Sequence, residues 1–428
     1  MAKTLPLDEL SPVVEEACRR LEGRPKLQKL FRNCYPNTMA TTTKYLEDGT
    51  AFVFTGDIPA MWLRDSSAQV RHYIGAAKHS EPVAELIEAL IARQMFCIQL
   101  DPYANAYNET DNNQCWERDE PAQGPWIWER KYEIDSLCYP FQLSWLFWKA
   151  TGRTGCFTDS FRKSAEMVLD LWTVEQDHCE KSPYYFIRKN CPPTDTLSHE
   201  GKGAPVAHTG MTWSGFRPSD DACVYGYLVP ANMFASVVLS YLAEIFTEIY
   251  KDEAFAARAL KLKGEIDEGI RKYGVYEHEK FGKIYAYETD GMGHYTLMDD
   301  ANVPSLLSIP YLGWCTPDDE IYQNTRRYVL SRENPFYYEG KVLKGVGSPH
   351  TPPRYVWHIA LSMQGLTSNS REEQEALLAM LEASDADTGY MHEGVFVDDP
   401  AQFTRPWFAW SNSIFSEFVL HYLGMENA

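Results

Sequence analysis

Ala231-Asn-Met-Phe-Ala-Ser-Val-Val-Leu-Ser-Tyr-Leu-Ala-Glu-Ile-Phe-Thr-Glu-Ile-Tyr250 keeps its polar residues on one stripe: Asn232, Ser236, Ser240, Glu244 and Glu248. The remainder is apolar or small, and a helix apolar almost all round must be enclosed by neighbours. Segments near 66–79, 136–150, 301–313, 354–366 and 409–423 share this character, being lightly charged and rich in aromatics. The segments between them differ. Residues 83–96 place Val83, Leu86, Ile87, Leu90 and Ile91 on one face, after Ser80 and Pro82. Residues 255–273 do the same through Phe255, Ala259, Leu262, Ile266, Ile270 and Tyr273. Ser370 and Glu373 have capping-box spacing ahead of Ala376, Leu377, Met380 and Leu381. With 11–33 as the first half-wet segment, enclosed and half-wet helices alternate. The alternation predicts an all-α fold, an (α/α)6 barrel with an inner ring wrapped by an outer one. The absence of a composition break predicts a single domain over 1–428. A helical-repeat solenoid is the runner-up, but no sequence repeats at a fixed period. Strand signal is confined to 43–55 around Asp48-Gly49 and to 283–287 before Asp290-Gly291, read as small hairpins in loops. The stretch 191–220, rich in Pro, Gly and Ser, reads as a long functional loop.

The 428 residues carry a net charge of −20. That excludes the basic surface a nucleic-acid binder needs and suits a neutral or cationic ligand. Aromatics are 14% of the chain, with 12 Trp and 26 Tyr. Most must be core, although flat faces with polar edges also suit sugar clefts. The polar stripe argues against a membrane span for 231–250. Ten cysteines run from Cys18 to Cys315 without a Cys-x-x-Cys pair, and read as free, largely buried thiols of a reducing compartment. Met1-Ala-Lys-Thr-Leu-Pro6 lacks a charged-then-apolar signal pattern, so a cytoplasmic location is expected. Neither metal-ligand spacing nor a phosphate-binding glycine loop is present, so no metal or cofactor is expected.

If the inner helices run parallel, the loops preceding them meet at one end. The first carries Asp57, Trp62, Arg64 and Asp65; the second Trp126, Trp128, Glu129, Glu133 and Asp135; the third runs from His208 to Asp221. The fourth has His294, Asp299, Asp300 and Asn302, and the fifth His350 and Arg354. The sixth has Tyr390, His392, Glu393, Asp398, Asp399, Arg405 and Trp407. Glycosidic cleavage needs one carboxylic acid to protonate the leaving oxygen and one carboxylate to act opposite it. Forked donors and acceptors then grip hydroxyls, while indole faces cover C–H surfaces. The candidate sugar contacts are Trp62, Arg64, Asp65, Glu133, Asp135, Asp300, Asn302, His350, Arg354 and Arg405. Helix capping competes equally for Asp65, Asp135, Asp220 and Asp221, with Ser66 beside them. The same lining also suits sugar binding without catalysis.

Gly56-Asp-Ile-Pro-Ala-Met-Trp-Leu-Arg-Asp-Ser-Ser-Ala-Gln69, Gly215-Phe-Arg-Pro-Ser-Asp-Asp221 and Gly389-Tyr-Met-His-Glu393 resemble glycoside hydrolase family 125. The resemblance spans essentially the whole chain. It implies an (α/α)6 exo-α-1,6-mannosidase of bacterial or fungal type, acting with inversion and without a catalytic metal on small mannosides such as N-glycan or mannan fragments. It also implies Asp220 as general acid and Glu393 as general base, with the adjacent Asp221 leaving the acid open by one position. Asp220 is then expected to be kept protonated by burial or a nearby carboxylate, and the two carboxyl groups to stand roughly 6.5–9.5 Å apart. The alternatives are a non-hydrolytic sugar-binding barrel, a carbohydrate epimerase, or a glucoamylase-like inverting glycosidase.

Overall fold

Val229–Ile245 is helical and almost wholly buried. The buried members of its polar stripe are satisfied by neighbours, and the stripe reaches solvent toward Glu244 and Glu248. Asn232 Nδ2 donates to the carbonyls of Leu228 and Thr212, both at 3.0 Å, Ser236 bonds Asp267, and Trp145 Nε1 donates to Glu244 at 2.6 Å. A π-helical turn follows over Phe246–Tyr250 and ends where Lys251 takes φ +55°.

The computed structural model describes residues 3–426; Met1 and Ala2 of the N-terminal stretch and the last two positions of the 1–428 span lie outside it. Val229–Ile245 packs against Ile134–Thr151, and that helix against Leu63–Ala68. Leu63–Ala68 in turn meets Ala409–Leu423, which lies along His358–Leu366. These are the lightly charged segments, each touching the next. The half-wet helices pack outside them. Glu81–Leu100 lies on Ile134–Thr151, Glu253–Tyr273 on Val229–Ile245, and Arg371–Ala383 on His358–Leu366. Asp159–Glu175 and Glu320–Val329 are further amphipathic helices of this kind, started by Thr158 and Asp319 side chains that accept from Phe161 and Tyr322 N–H groups. One hydrophobic cluster runs through the described residues from Leu10 to Met425. The chain is all-α in class; every strand is four residues or shorter.

Several elements differ from their expected form. The 11–33 segment is two helices, Ser11–Arg20 and Pro25–Cys34, because a residue before proline avoids the helical region. The 66–79 helix starts three residues early and breaks into Leu63–Ala68, a 3-10 turn at Arg71–Tyr73 and Ile74–Ala77; the β-branched Val70 at the break is a weaker helix former. Of 301–313 only Ile309–Leu312 is helical. Pro304 removes a donor, and Asp299 captures the Leu306 and Leu307 N–H groups at 2.7 and 3.0 Å. The 354–366 helix starts at His358 because Tyr355–Trp357 pairs as a strand with Gly394–Phe396. The Asp48-Gly49 hairpin pairs Thr43–Tyr45 with Ala51–Val53. Gly282–Tyr285 pairs backwards with Val275–His278, while the hairpin about Asp290-Gly291 is made by Glu288–Thr289 and Tyr295–Thr296, with Tyr287 N–H donating to the Thr296 carbonyl at 3.0 Å. Ser370 accepts from Glu373 N–H at 3.2 Å, but Glu373 turns its carboxylate to Arg326 instead of closing the box. Five of the ten free cysteines are buried and Cys179 is exposed.

His358–Leu366 meets Ala409–Leu423 closely enough that a Cβ on Gly365 would stand 2.2 Å from the buried Phe418 ring. Alanine is the better helix former by roughly 1 kcal/mol, while overpacking costs about 1–3 kcal/mol. Because the ring is enclosed, the second effect wins. Gly365→Ala is therefore expected to lower the urea midpoint; a raised midpoint would show that the Phe418 ring can yield.

Candidate active site

Four of the enclosed helices follow directly, or within a few residues, on a short strand. Met61–Trp62 leads into Leu63–Ala68, Ile127–Glu129 into Ile134–Thr151, Tyr227–Leu228 into Val229–Ile245, and Tyr355–Trp357 into His358–Leu366. Met61–Trp62, Ala106–Tyr107 and Ile127–Glu129 form one three-stranded patch. Its aromatic and β-branched residues suit strands, and the patch fixes the approach to two helices at once. The helix beginnings thus share one end of the fold, where unpaired N–H groups favour negative side chains. That end holds Arg64, Asp65, Glu133, Asp135, Trp410 and the loop carboxylates.

Arg64 lies at the floor with a side chain only 4% exposed. Its guanidinium faces Asp65 at 2.6 Å, Asp135 at 3.2 Å, Asp220 at 3.3 Å and Glu133 at 3.4 Å, and it lies over the Trp410 ring at 5.2 Å. A charge removed from water needs such partners. Burial raises the Asp65 carboxyl to about 6 despite Arg64. Burial also raises Asp135 and pushes Glu133 well above the usual carboxylate range.

Asp220 stands at the tip of a tight turn in which Arg217 N–H donates to the Asp221 carbonyl at 2.8 Å and Asp220 N–H to that of Arg217 at 2.9 Å. Asp220 has φ +68°, a left-handed conformation that aspartate tolerates better than most residues. Lys131 Nζ donates to its backbone carbonyl at 2.8 Å. Its Oδ1 accepts from Trp62 Nε1, Arg64 and Asn105 Nδ2, each at 3.3 Å. Burial works to raise this carboxyl, but Arg64 and Lys131 outweigh it and hold it below the usual range. The expectation that Asp220 is itself protonated at rest is thereby corrected: the nearby cations favour its charged form.

Glu393 is fixed from behind. His392 N–H donates to His358 Nδ1 at 2.9 Å, and Ser411 Oγ donates to the His392 carbonyl at 2.9 Å. Two enclosed helices therefore grip the backbone one residue away. Arg405 faces the Glu393 carboxylate at 3.3 Å and Asp57 at 3.2 Å. His350 bonds Asp221 at 3.0 Å. Burial alone would lower the His350 pKa, but Asp221, Asp220 and Glu393 raise it to about 9.

These side chains enclose a narrow cavity of about 50 Å³, lined by Trp62, Arg64, Asp65, Asp220, Asn302, His350, Glu393 and Arg405, among others. It shares Trp62, Asp220, His350 and Arg405 with a wider one of about 310 Å³, where Trp116, Asp195 and Arg188 stand. Three candidates lie behind the wall. Glu133 and Asp135 contact Arg64, and Asp300 holds Asn302, accepting its Nδ2–H at 3.0 Å. Arg354 is not brought to either cavity: it is half-exposed, pairs with Asp398 and lies over Phe396. The proline pair before it carries the loop outward. Capping does not explain the acids either. Leu63–Ala68 and Ile134–Thr151 have no side-chain cap, and no helix begins at Asp220 or Asp221. Trp357, Phe408 and Trp410 line the cavity without having been singled out; they read as core because all three are buried. Asn105 and Lys131 were also missed. Among the described residues no His, Cys, Asp and Glu grouping could hold a metal ion, and where the carboxylates converge a guanidinium sits instead. A further cavity of about 510 Å³ lies at the opposite helix ends, by Arg71, Lys149, Tyr311 and Glu417. Arg71 and Lys149 already pair there, with Glu417 and Glu244.

Two variants test this arrangement. Arg64→Met leaves its acids uncompensated and is expected to cost about 3–5 kcal/mol at neutral pH. The carboxyls would bind more protons folded than unfolded, so stability falls as pH rises above their unfolded values near ~4. The deficit against wild type in thermal denaturation should be smaller at about pH 5 than at about pH 8; a deficit independent of pH would contradict the electrostatic account. Arg354→Ala, by contrast, should change stability by no more than about 0.5 kcal/mol and leave KM unaltered.

Over residues 24–420 the chain matches the family described as metal-independent alpha-mannosidase, glycoside hydrolase family 125. The meiotically up-regulated gene 157 protein of Schizosaccharomyces pombe is 40% identical to it, over 98% of this chain and 87% of that one. A metal-independent α-mannosidase of Streptococcus pneumoniae, solved as a non-productive substrate complex with α-1,6-mannobiose, is 49% identical. It covers 97% of this chain and 98% of its own, with a TM-score of 0.95. A wild-type glycosidase only 13% identical, covering 94% of this chain and 98% of its own, has a TM-score of 0.54, a likeness of fold alone. With the family matched over nearly its whole length and the carboxylate pocket in place, the chain belongs to the metal-independent α-mannosidases of glycoside hydrolase family 125 and is a glycoside hydrolase.

Proposed function

We propose that the enzyme removes the terminal non-reducing mannose from α-1,6-linked mannosides with inversion, Asp220 acting as general acid and Glu393 as general base. The observation that carries this reading is the placement of both carboxylates in one narrow cavity that joins a wider one past Asp220 and His350. A narrow recess beside a wider space suits one terminal sugar within and the remainder of the chain outside. The α-1,6 linkage rests on the mannobiose seen with the Streptococcus pneumoniae relative. In the reaction, Glu393 takes a proton from water as the water oxygen bonds C1. The C1–O bond to the leaving sugar breaks, and that oxygen receives a proton from Asp220. The product is β-mannose. Trp62, Asp65, Asn302, His350 and Arg405 face the sugar. Arg64 uses its donors on carboxylates and acts mainly by holding them in place, with Glu133 and Asp135 behind it.

The helices are read as a closed (α/α)6 double ring in a single catalytic domain over 1–428, a reading supported by the order in which enclosed helices touch. Ten free thiols support a reducing, cytoplasmic setting.

Asp220→Asn and Glu393→Gln are each expected to lower kcat on α-1,6-mannobiose by about 10²–10⁴-fold or more. Loss in Asp221→Asn with Asp220→Asn active would move the acid by one residue. Proton NMR during hydrolysis should show the β anomer first, and α-mannose appearing first would overturn inversion.

A further inference from the structure

Asp65, Glu133, Asp135 and Asp220 all lie within 3.4 Å of one guanidinium. The other cations nearby are already engaged. Lys131 faces Asp195, Glu129 and the Asp220 carbonyl. Arg188 holds Asp119, Glu129 and Asp195; His350 pairs with Asp221, and Arg405 with Glu393 and Asp57. Were all four acids ionised, three uncompensated charges would be buried together. Like charges that close raise one another's affinity for protons, so the resting cluster holds at least one and regains it when it is lost.

The contacts say where it sits. Glu133 Oε1 and Asp220 Oδ1 accept from the same two donors, Arg64 Nη2 at 3.4 and 3.3 Å and Asn105 Nδ2 at 3.5 and 3.3 Å, which sets the two carboxyl groups side by side where one proton can serve both. Glu133 has a side chain with no exposure at all and accepts from Ser136 Oγ at 2.7 Å. Asp220, which takes Trp62 Nε1 besides the two shared donors, is 30% exposed, and this access to water favours its anion over that of the enclosed Glu133. At rest Glu133 is the acid and Asp220 its acceptor. Burial raises the one while Arg64 and Lys131 lower the other, in the same sense as the geometry.

We propose that Glu133 is a positioning residue for proton supply, holding in the resting enzyme the proton that Asp220 delivers to the departing oxygen. The inference rests on Asp220 being the general acid. Substrate entering the cavity removes water from the exposed side of Asp220 and so destabilises its anion. The proton then passes from the Glu133 carboxyl to Asp220, and from Asp220 to the glycosidic oxygen as its bond to C1 breaks. Glu133 and Asp220 are both left as carboxylates, and Glu393 carries the proton taken from water. After the sugars leave, Glu393 releases that proton to solvent and the pair takes one up. The sum is one water consumed per bond cleaved.

Glu133→Gln keeps the shape but donates a fixed N–H to Asp220 and has no proton to transfer. On α-1,6-mannobiose its kcat should fall about 10²-fold, and the high-pH limb of kcat should move down by about one pH unit or more. On 2,4-dinitrophenyl α-mannoside, whose leaving group needs no protonation, the loss should stay within about threefold. Glu133→Asp, which retains an ionisable carboxyl, should recover most of the limb. An unmoved limb, an equal loss on both substrates, or a Glu133→Asp limb no better than that of Glu133→Gln would overturn the proposal. Full mannobiose activity in Asp220→Asn would instead remove the general-acid reading on which it rests.

Discussion

Arg64 brings a single positive charge into a space where Asp65, Glu133, Asp135 and Asp220 converge, and water is nearly absent around it. Removing an ion from water costs several kcal/mol, and pairing offsets this only where the geometry is good. The guanidinium fork meets that condition in part: Nη1 bonds Asp65 at 2.6 Å, Nη2 is shared by Glu133 and Asp220, and Nε faces Asp135 at 3.2 Å without a hydrogen bond. Lysine, a compact point charge, could not do so. The same contact joins separate elements: Arg64 and Asp65 come from Leu63–Ala68, Glu133 and Asp135 from the start of Ile134–Thr151, and Asp220 from the turn ahead of Val229–Ile245. Two helix beginnings and the turn ahead of a third helix are thus tied through one side chain.

The rest of the fold serves to make that convergence possible. Enclosed helices bury their polar stripes against neighbours, which leaves their first turns together at one end of the molecule. Short strands ahead of four of them hold the chain in register, so that Trp62, Glu133 and Trp357 enter at set positions. Glu393 is set by the same device, since the strand it precedes pairs with Tyr355–Trp357. Negative side chains at helix beginnings are also favoured by the helix dipoles. The helix ends opposite carry cations such as Lys149, as the dipole favours there.

Helix class was legible in the sequence wherever composition alone decides it. The apolar ring of Val229–Ile245 and the single apolar faces of Glu81–Leu100 and Glu253–Tyr273 need no knowledge of partners. The fourth enclosed segment failed because its Asp299 competes for backbone N–H groups, a long-range choice that periodicity does not record. Among site residues, the acids of the loops were visible as residue types in suspicious company. Arg354 was visible in the same way, yet its loop carries it outward. Asn105 and Lys131 gave no signal, because their importance lies in which carboxylates they reach across the sheet. Trp357 and Trp410 were legible only as core, and a cavity wall made of core residues reads the same way.

The two reacting carboxylates differ most in how their charge is balanced. Glu393 shares Arg405 with the half-exposed Asp57, two carboxylates on one guanidinium, and the backbone of the preceding His392 is clamped by His358 and Ser411. Asp220 belongs to a group in which acids outnumber the cation four to one. A carboxylate at the edge of the cluster has its charge met by a guanidinium and open space; an acid-rich cluster holds a proton at rest. Environments that separate two carboxyl groups in this way assign one to take protons and the other to give them. On this argument the base is a matter of anchoring, and the acid is a property of the whole Arg64 cluster, of which Asp220 is the member that reaches the substrate.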